Sequence, residues 1–225
     1  RIGWFRAAIL DRLFMCIVGS CLMFNDLTTK LADILHHPGR IFPAVVAIVL
    51  IATAAIVILH LFMALLGGHA AKQRRRFNLC EKLVYLAALV SVAALAITSF
   101  YAVLRLGGMH GWWLFAHMFG AGAMTGTLPL LALTWCGAHC CCGATHRPAN
   151  EAEPPRFFWI PRVMFWLFLL AGLVLILTTM VSMLPLFGSE GLEVLLNLHR
   201  YAGLLAVVAL VIHLYCVLLQ RAQLR

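Results

Sequence analysis

Acidic residues are scarce in this 225-residue chain, which has eight Asp and Glu against 17 Lys and Arg. Charged residues of either sign make up 11% of positions and apolar ones 64%, where soluble globular domains hold roughly 25% and 45–50%. Mean hydropathy is +0.98. So little charge excludes a soluble domain and a disordered chain. It also excludes a nucleic-acid binder that merely happens to be basic, because such a protein presents its cations on a water-exposed surface. No Cys-x-x-Cys-His string occurs, which excludes covalent c-type haem attachment. No cleavable-signal pattern opens the chain.

What the sequence does have is long apolar runs. A bilayer core about 30 Å thick needs about 20 apolar residues in a helix. Residues 41–66, 83–104, 112–133, 163–186 and 194–219 meet that requirement without an Asp, Glu or Lys, and Arg200 is their single formal charge. A shorter run at 13–24 becomes a sixth span if residues 5–13 extend it, with Arg6, Asp11 and Arg12 near one interface. The expected fold is an all-α, polytopic transmembrane bundle of about six spans in a single membrane domain over 1–225. With six spans, thirteen Lys and Arg fall on the side of both termini, and only Lys30, Arg40 and Arg105 fall on the other. The positive-inside rule then puts both termini in the cytoplasm. The expected location is a prokaryotic inner membrane.

Two stretches repeat at an offset of 80 residues. Lys82, Tyr85, Thr98, Gly108 and Gly111 answer to Arg162, Phe165, Thr178, Gly188 and Gly191. Each stretch leads into a run that carries a His followed by a small residue. Two similar hairpins packed together make a bundle.

Ten histidines are present, and His60, His117, His199 and His213 lie inside apolar runs. Ionisable residues at membrane depth are costly and mark function. His199 and His213 are 14 positions apart in one run, which returns them to within about 40° of the same helical face with a rise of about 21 Å. One face thus offers two imidazoles at two depths, as two stacked haems with bis-His ligation require. The second, fourth and sixth spans run in the same direction, so depths along them compare directly. His117 and His199 each lie about 8 Å from the outer end, and His60 and His213 each lie about 28 Å from it. The expected pairs are His117 with His199 on the outer side and His60 with His213 on the inner side. His36 and His37, before the second span, compete with His117 for the outer site. Arg200 is placed to pair with a haem propionate. Gly203, one turn after His199, lets a porphyrin approach the backbone, and Gly120 and Gly122 repeat that theme beside His117.

The basic-led hairpins, Thr178, and the helix Leu198-His199-Arg200-Tyr201-Ala202-Gly203 … His213-Leu214-Tyr215 resemble bacterial membrane cytochrome b subunits. The group is the superfamily of formate dehydrogenase gamma, thiosulfate reductase and nickel-iron hydrogenase cytochrome b. The specific likeness covers mainly the last 65 residues. It implies two b haems and an exchangeable menaquinone or ubiquinone. It also implies a peripheral partner, an iron–sulfur or multihaem cytochrome protein, in a respiratory oxidoreductase complex whose substrate chemistry lies on that partner. Asp11-Arg12 is also similar to the family's Asp-Arg before a first-helix ligand, but Phe14 and Met15 stand where a His is expected, and six spans exceed the family's usual four or five. His60 takes the inner position here.

The inner end, with Gln220, Arg221 and the basic stretch 72–82, offers hydrogen-bond donors and proton access for quinone reduction near His213. The short loop 106–110 leaves the outer end open to an electron donor. Cys136, Cys140, Cys141 and Cys142 with His139 form a thiol-rich cluster at the inner edge, either a zinc or iron–sulfur site or a set of small residues closing a helix. The rival reading is a transporter or metal-ion channel whose intramembrane histidines relay protons. Against it stands the absence of acidic residues from the five strong runs.

Overall fold

A computed structural model describes residues 38–66, 78–139 and 159–222. The expected first span, His36, His37, His69, His146 and the linker 147–155 lie outside the described residues. So do the side chains of Cys136 and His139, and all of Cys140, Cys141 and Cys142. The chain divides after Phe42. Of the first part, only Pro38–Phe42 are described, and they are helical. His60, His117, His199 and His213 all belong to the second part, which begins at Pro43.

Among the described residues all regular secondary structure is helical, in the order α1 (Pro38–Leu66), α2 (Leu79–Tyr101), a π-helical turn (Ala102–Leu106), α3 (Gly111–His139), α4 (Trp159–Ser182) and α5 (Ser189–Ala222). Five helices are long and apolar enough to cross a membrane, and they coincide with the five strong runs. Lipid cannot satisfy a bare amide, so an apolar run that long closes its hydrogen bonds within itself as a helix.

Boundaries follow local chemistry. α2 opens where the Asn78 amide donates to the Glu81 carboxylate at 3.0 Å, half of a capping box. It closes through the π-turn onto Gly107, whose φ of 69° is the left-handed conformation that glycine adopts without steric cost. α4 starts four residues before the expected span and ends four residues before its expected close, at Ser182. The early start accommodates Pro161 in the first turn, where its missing N–H costs nothing. The early end is set by Pro185, which disfavours helical geometry in the residue before it. The Met183 and Leu184 amides turn instead to the carbonyls of Met180 and Val181.

The helices pair as two hairpins, α2 with α3 and α4 with α5, which meet mainly through α3 and α4 and more lightly through α2 and α5. Tyr101 stacks on Trp113 at 4.5 Å across the first turn. The shared core joins Val92, Leu128, Leu131, Phe165, Phe168 and Leu210 with the small residues Ala88, Ala171, Ala206 and Ala209. Small residues matter because apolar burial drives nothing in lipid, so close van der Waals approach holds such helices together. At Gly172 an added Cβ would stand 2.7 Å from Leu128 Cδ1, so α4 and α3 approach closely there. α1 is mostly exposed, with Phe42, Val46 and Ala64 buried. A groove of about 350 Å³, lined by Thr53, Val57, Val208 and Val211 among others, separates it from α5.

Candidate functional site: two imidazoles from matching hairpins

The repeat seen in the sequence is realised as a repeated hydrogen bond. In the first hairpin His117 Nδ1, on α3, lies 3.1 Å from Thr98 Oγ1 and 3.2 Å from Ser99 Oγ, both on α2. In the second hairpin His199 Nδ1, on α5, lies 2.9 Å from Thr178 Oγ1 and 3.4 Å from Thr179 Oγ1, both on α4. Thr98 and Thr178 are buried, and the two imidazoles are half-buried.

The hydroxyls decide the tautomer. Thr98 donates its single proton to the Ala94 carbonyl at 2.8 Å, and Thr178 donates to the Val174 carbonyl at 2.8 Å. Each oxygen is then an acceptor toward its histidine, so Nδ1–H is the donor and the lone pair of the neutral ring sits on Nε2. A metal-binding imidazole takes this form, with one nitrogen anchored by a hydrogen bond and the other presenting its lone pair.

His213 also has Nδ1 anchored, at 2.8 Å from the Pro161 carbonyl. That contact ties α5 to the first turn of α4. The ring is 1% exposed. It lies 5.6 Å from the Phe165 ring and 6.3 Å from the Tyr85 ring, and Tyr85 stacks on Trp135 at 4.9 Å. The repeat partners Tyr85 and Phe165 thus flank one histidine rather than two. The position that answers to His213 in the first hairpin, 14 residues after His117, is Leu131.

His60 meets Tyr215. Its Nδ1 is 2.7 Å from the Tyr215 hydroxyl, with the rings edge to face at 5.7 Å. Two residues turn a helix by about 200°, so Tyr215 occupies nearly the opposite side of α5 from His213. This is the side that carries Val208 and Val211 toward α1. Equal depth is a sound measure of height, but it gives no information about azimuth.

The Arg200 guanidinium lies 3.5 Å from Asn197 Oδ1 one turn earlier on α5. An added Cβ at Gly203 would meet only Leu175, at an ordinary 3.7 Å, and one at Gly122 would meet nothing within 4 Å. At Gly120 the nearest atom would be Leu95 Cδ2 at 3.2 Å, so that glycine serves the packing of α2 on α3. Among the described residues no three His, Cys, Asp or Glu side chains converge, and the chemistry on offer is that of imidazoles each anchored through Nδ1 by its own hairpin.

Ser99, Thr179 and the Pro161 carbonyl are absent from the sequence-based set. The signal for the hydroxyls is present in the chain: the doublets Thr98-Ser99 and Thr178-Thr179 recur at the repeat offset, 18 to 21 residues before a histidine, which is the separation of facing positions across a helical hairpin. No protein family, curated protein or solved structure matches this chain.

Proposed function

We propose that this chain is a b-type membrane cytochrome, the electron-transfer subunit of a redox complex that links a peripheral partner to the quinone pool of a bacterial cytoplasmic membrane. The observation that supports this most strongly is the matched pair His117 and His199, each anchored through Nδ1 by its own hairpin and each with its Nε2 lone pair available. Bound between two imidazoles, haem supplies reversible one-electron transfer. This chain supplies ligands of fixed tautomer, room beside Gly203 and Gly122, and a cation at Arg200 for an acidic side group. The partner, an iron–sulfur or multihaem protein, carries the substrate chemistry, and a menaquinone or ubiquinone exchanges electrons at the membrane.

The residues around His213 fit a second haem less well. The ring is enclosed by Tyr85 and Phe165, and His60 is held by Tyr215 on another side of α5. One haem is therefore assigned, to His117 and His199. The test is the visible spectrum and pyridine haemochrome of the purified chain. One extractable haem per chain is expected, lost from both His117→Ala and His199→Ala, and a wild-type chain without haem ends this reading.

A further inference from the structure

The four hydroxyls that meet the two imidazoles do unequal work. Thr178 Oγ1 approaches His199 at 2.9 Å, while its neighbour Thr179 stands at 3.4 Å, near the limit at which such a contact counts as a hydrogen bond. Thr179 also commits its own proton to the Leu175 carbonyl at 2.9 Å. His117 is shared almost evenly, at 3.1 Å to Thr98 and 3.2 Å to Ser99. No backbone carbonyl receives the Ser99 hydroxyl proton in any bond among the described residues, whereas Ser91, Thr98, Thr125, Thr127, Thr134, Thr178 and Thr179 all donate to a carbonyl three or four residues back. Such back-bonding occupies a hydroxyl locally and bends the helix slightly. At Thr98 and Thr178 it also orients the oxygen lone pairs outward, toward the ring on the next helix.

We infer that Thr178 and the pair Thr98–Ser99 are positioning residues that hold the tautomer and ring plane of the two axial imidazoles, His199 through one dominant contact and His117 through two: Thr98, whose committed proton leaves it an acceptor for Nδ1–H, and Ser99, whose uncommitted hydroxyl can turn to accept as well. This role rests on the haem reading and adds tuning to residues that touch no cofactor. An acceptor on Nδ1–H makes the imidazole a stronger electron donor through Nε2, which favours the ferric state. Removing the acceptor weakens that donation and raises the reduction potential.

The experiment is a redox titration of the purified full chain carrying Thr178→Val, Thr98→Val, Ser99→Ala or the Thr98→Val/Ser99→Ala pair. Thr125→Val serves as a control, since that hydroxyl bonds only the Ala121 carbonyl of its own helix. Thr178→Val shifts the potential upward by more than Thr98→Val does, because Ser99 remains for His117. The double change exceeds the sum of its singles, Thr178→Ser restores the wild-type value, and Thr125→Val leaves it unchanged. A potential unmoved by both Thr178→Val and the double change, with haem retained, overturns the inference. Should Thr178→Val not fold, the three variants at 98 and 99 decide it alone. ¹⁵N-histidine NMR separates this failure from failure of the haem reading. A wild-type chain without haem that still shows His199 as the Nδ1–H tautomer, lost in Thr178→Val, removes the haem and keeps the positioning role; a mixed His199 tautomer in that chain overturns the positioning role too.

Discussion

The Tyr215 hydroxyl lies 2.7 Å from His60 Nδ1, and the two rings cross at 85°. This pair couples α1 to α5 on the face of α5 turned away from His213, and it fixes where His60 belongs. An imidazole engaged at that position is not aimed into the four-helix core, although it sits at the same expected depth as His213.

His60→Ala and Tyr215→Phe should accordingly leave the haem content and the α-band of the reduced spectrum as in wild type. The expected loss is limited to one exposed hydrogen bond, about 0.5–1.5 kcal/mol, read as a small fall in thermal midpoint in detergent. A variant at position 60 that loses haem would restore the sequence-based pairing of His60 with His213.

His213→Ala removes a buried ring and its bond to the Pro161 carbonyl, which leaves a cavity between Tyr85 and Phe165. Comparable deletions in packed cores cost about 2–5 kcal/mol, so a marked drop in stability is expected. The haem-to-protein ratio of the folded fraction should stay at the wild-type value, because the proposed ligands are elsewhere. A doubled ratio in wild type, halved by this change, would mean that a second haem depends on His213.

The glycines separate packing from cofactor space. Gly172→Ala forces a methyl group to 2.7 Å from Leu128 Cδ1, and such overpacking typically costs about 1–3 kcal/mol. Gly203→Ala meets only Leu175 at 3.7 Å and should be neutral for the stability of the haem-free chain. If a porphyrin approaches the backbone at Gly203, that same change lowers haem occupancy without lowering stability. Equal occupancy in wild type and Gly203→Ala would remove Gly203 from the site.

Arg200 tests the electrostatics with a sign opposite to that of Thr178. A guanidinium near the haem stabilises the additional electron of the reduced state, and at a few ångströms in a low-dielectric setting that interaction is large. Arg200→Leu is therefore expected to retain haem and lower its potential. Because Arg200 also lies within 3.5 Å of Asn197, Asn197→Ala is the matching control. A shift produced equally by both variants would assign the effect to the local bond rather than to the charge.

The membrane character and the helical spans were legible in the sequence because hydropathy is a local property. Some twenty apolar residues in succession have only one way to satisfy their backbone in lipid, whatever packs beside them. The doubling of the hairpins was legible for a related reason, since Lys82, Tyr85 and Thr98 repeat as Arg162, Phe165 and Thr178 and a similar local sequence folds similarly. His199 and His213 stood out by their 14-residue spacing in one run, and His117 by lying at the same expected depth as His199.

Only the tertiary structure decided which side chains meet across helices. Depth follows from counting residues, but azimuth depends on how each helix rolls against its neighbours. That roll sends His60 to Tyr215 rather than to His213, and it gathers Tyr85 and Phe165, one from each repeat, around a histidine that the first hairpin lacks. The hydroxyl contacts to His117 and His199 belong to the same class. The doublets 98–99 and 178–179 are written in the chain, yet their role emerges only when the return helix places an imidazole within 2.9 to 3.4 Å of them. The sequence by itself therefore determined helices long and apolar enough to cross a membrane, arranged as repeated hairpins that carry imidazoles. Helix rotation in the packed bundle, which no single-helix pattern encodes, decided which hydroxyls meet His117 and His199 and that His60 meets Tyr215.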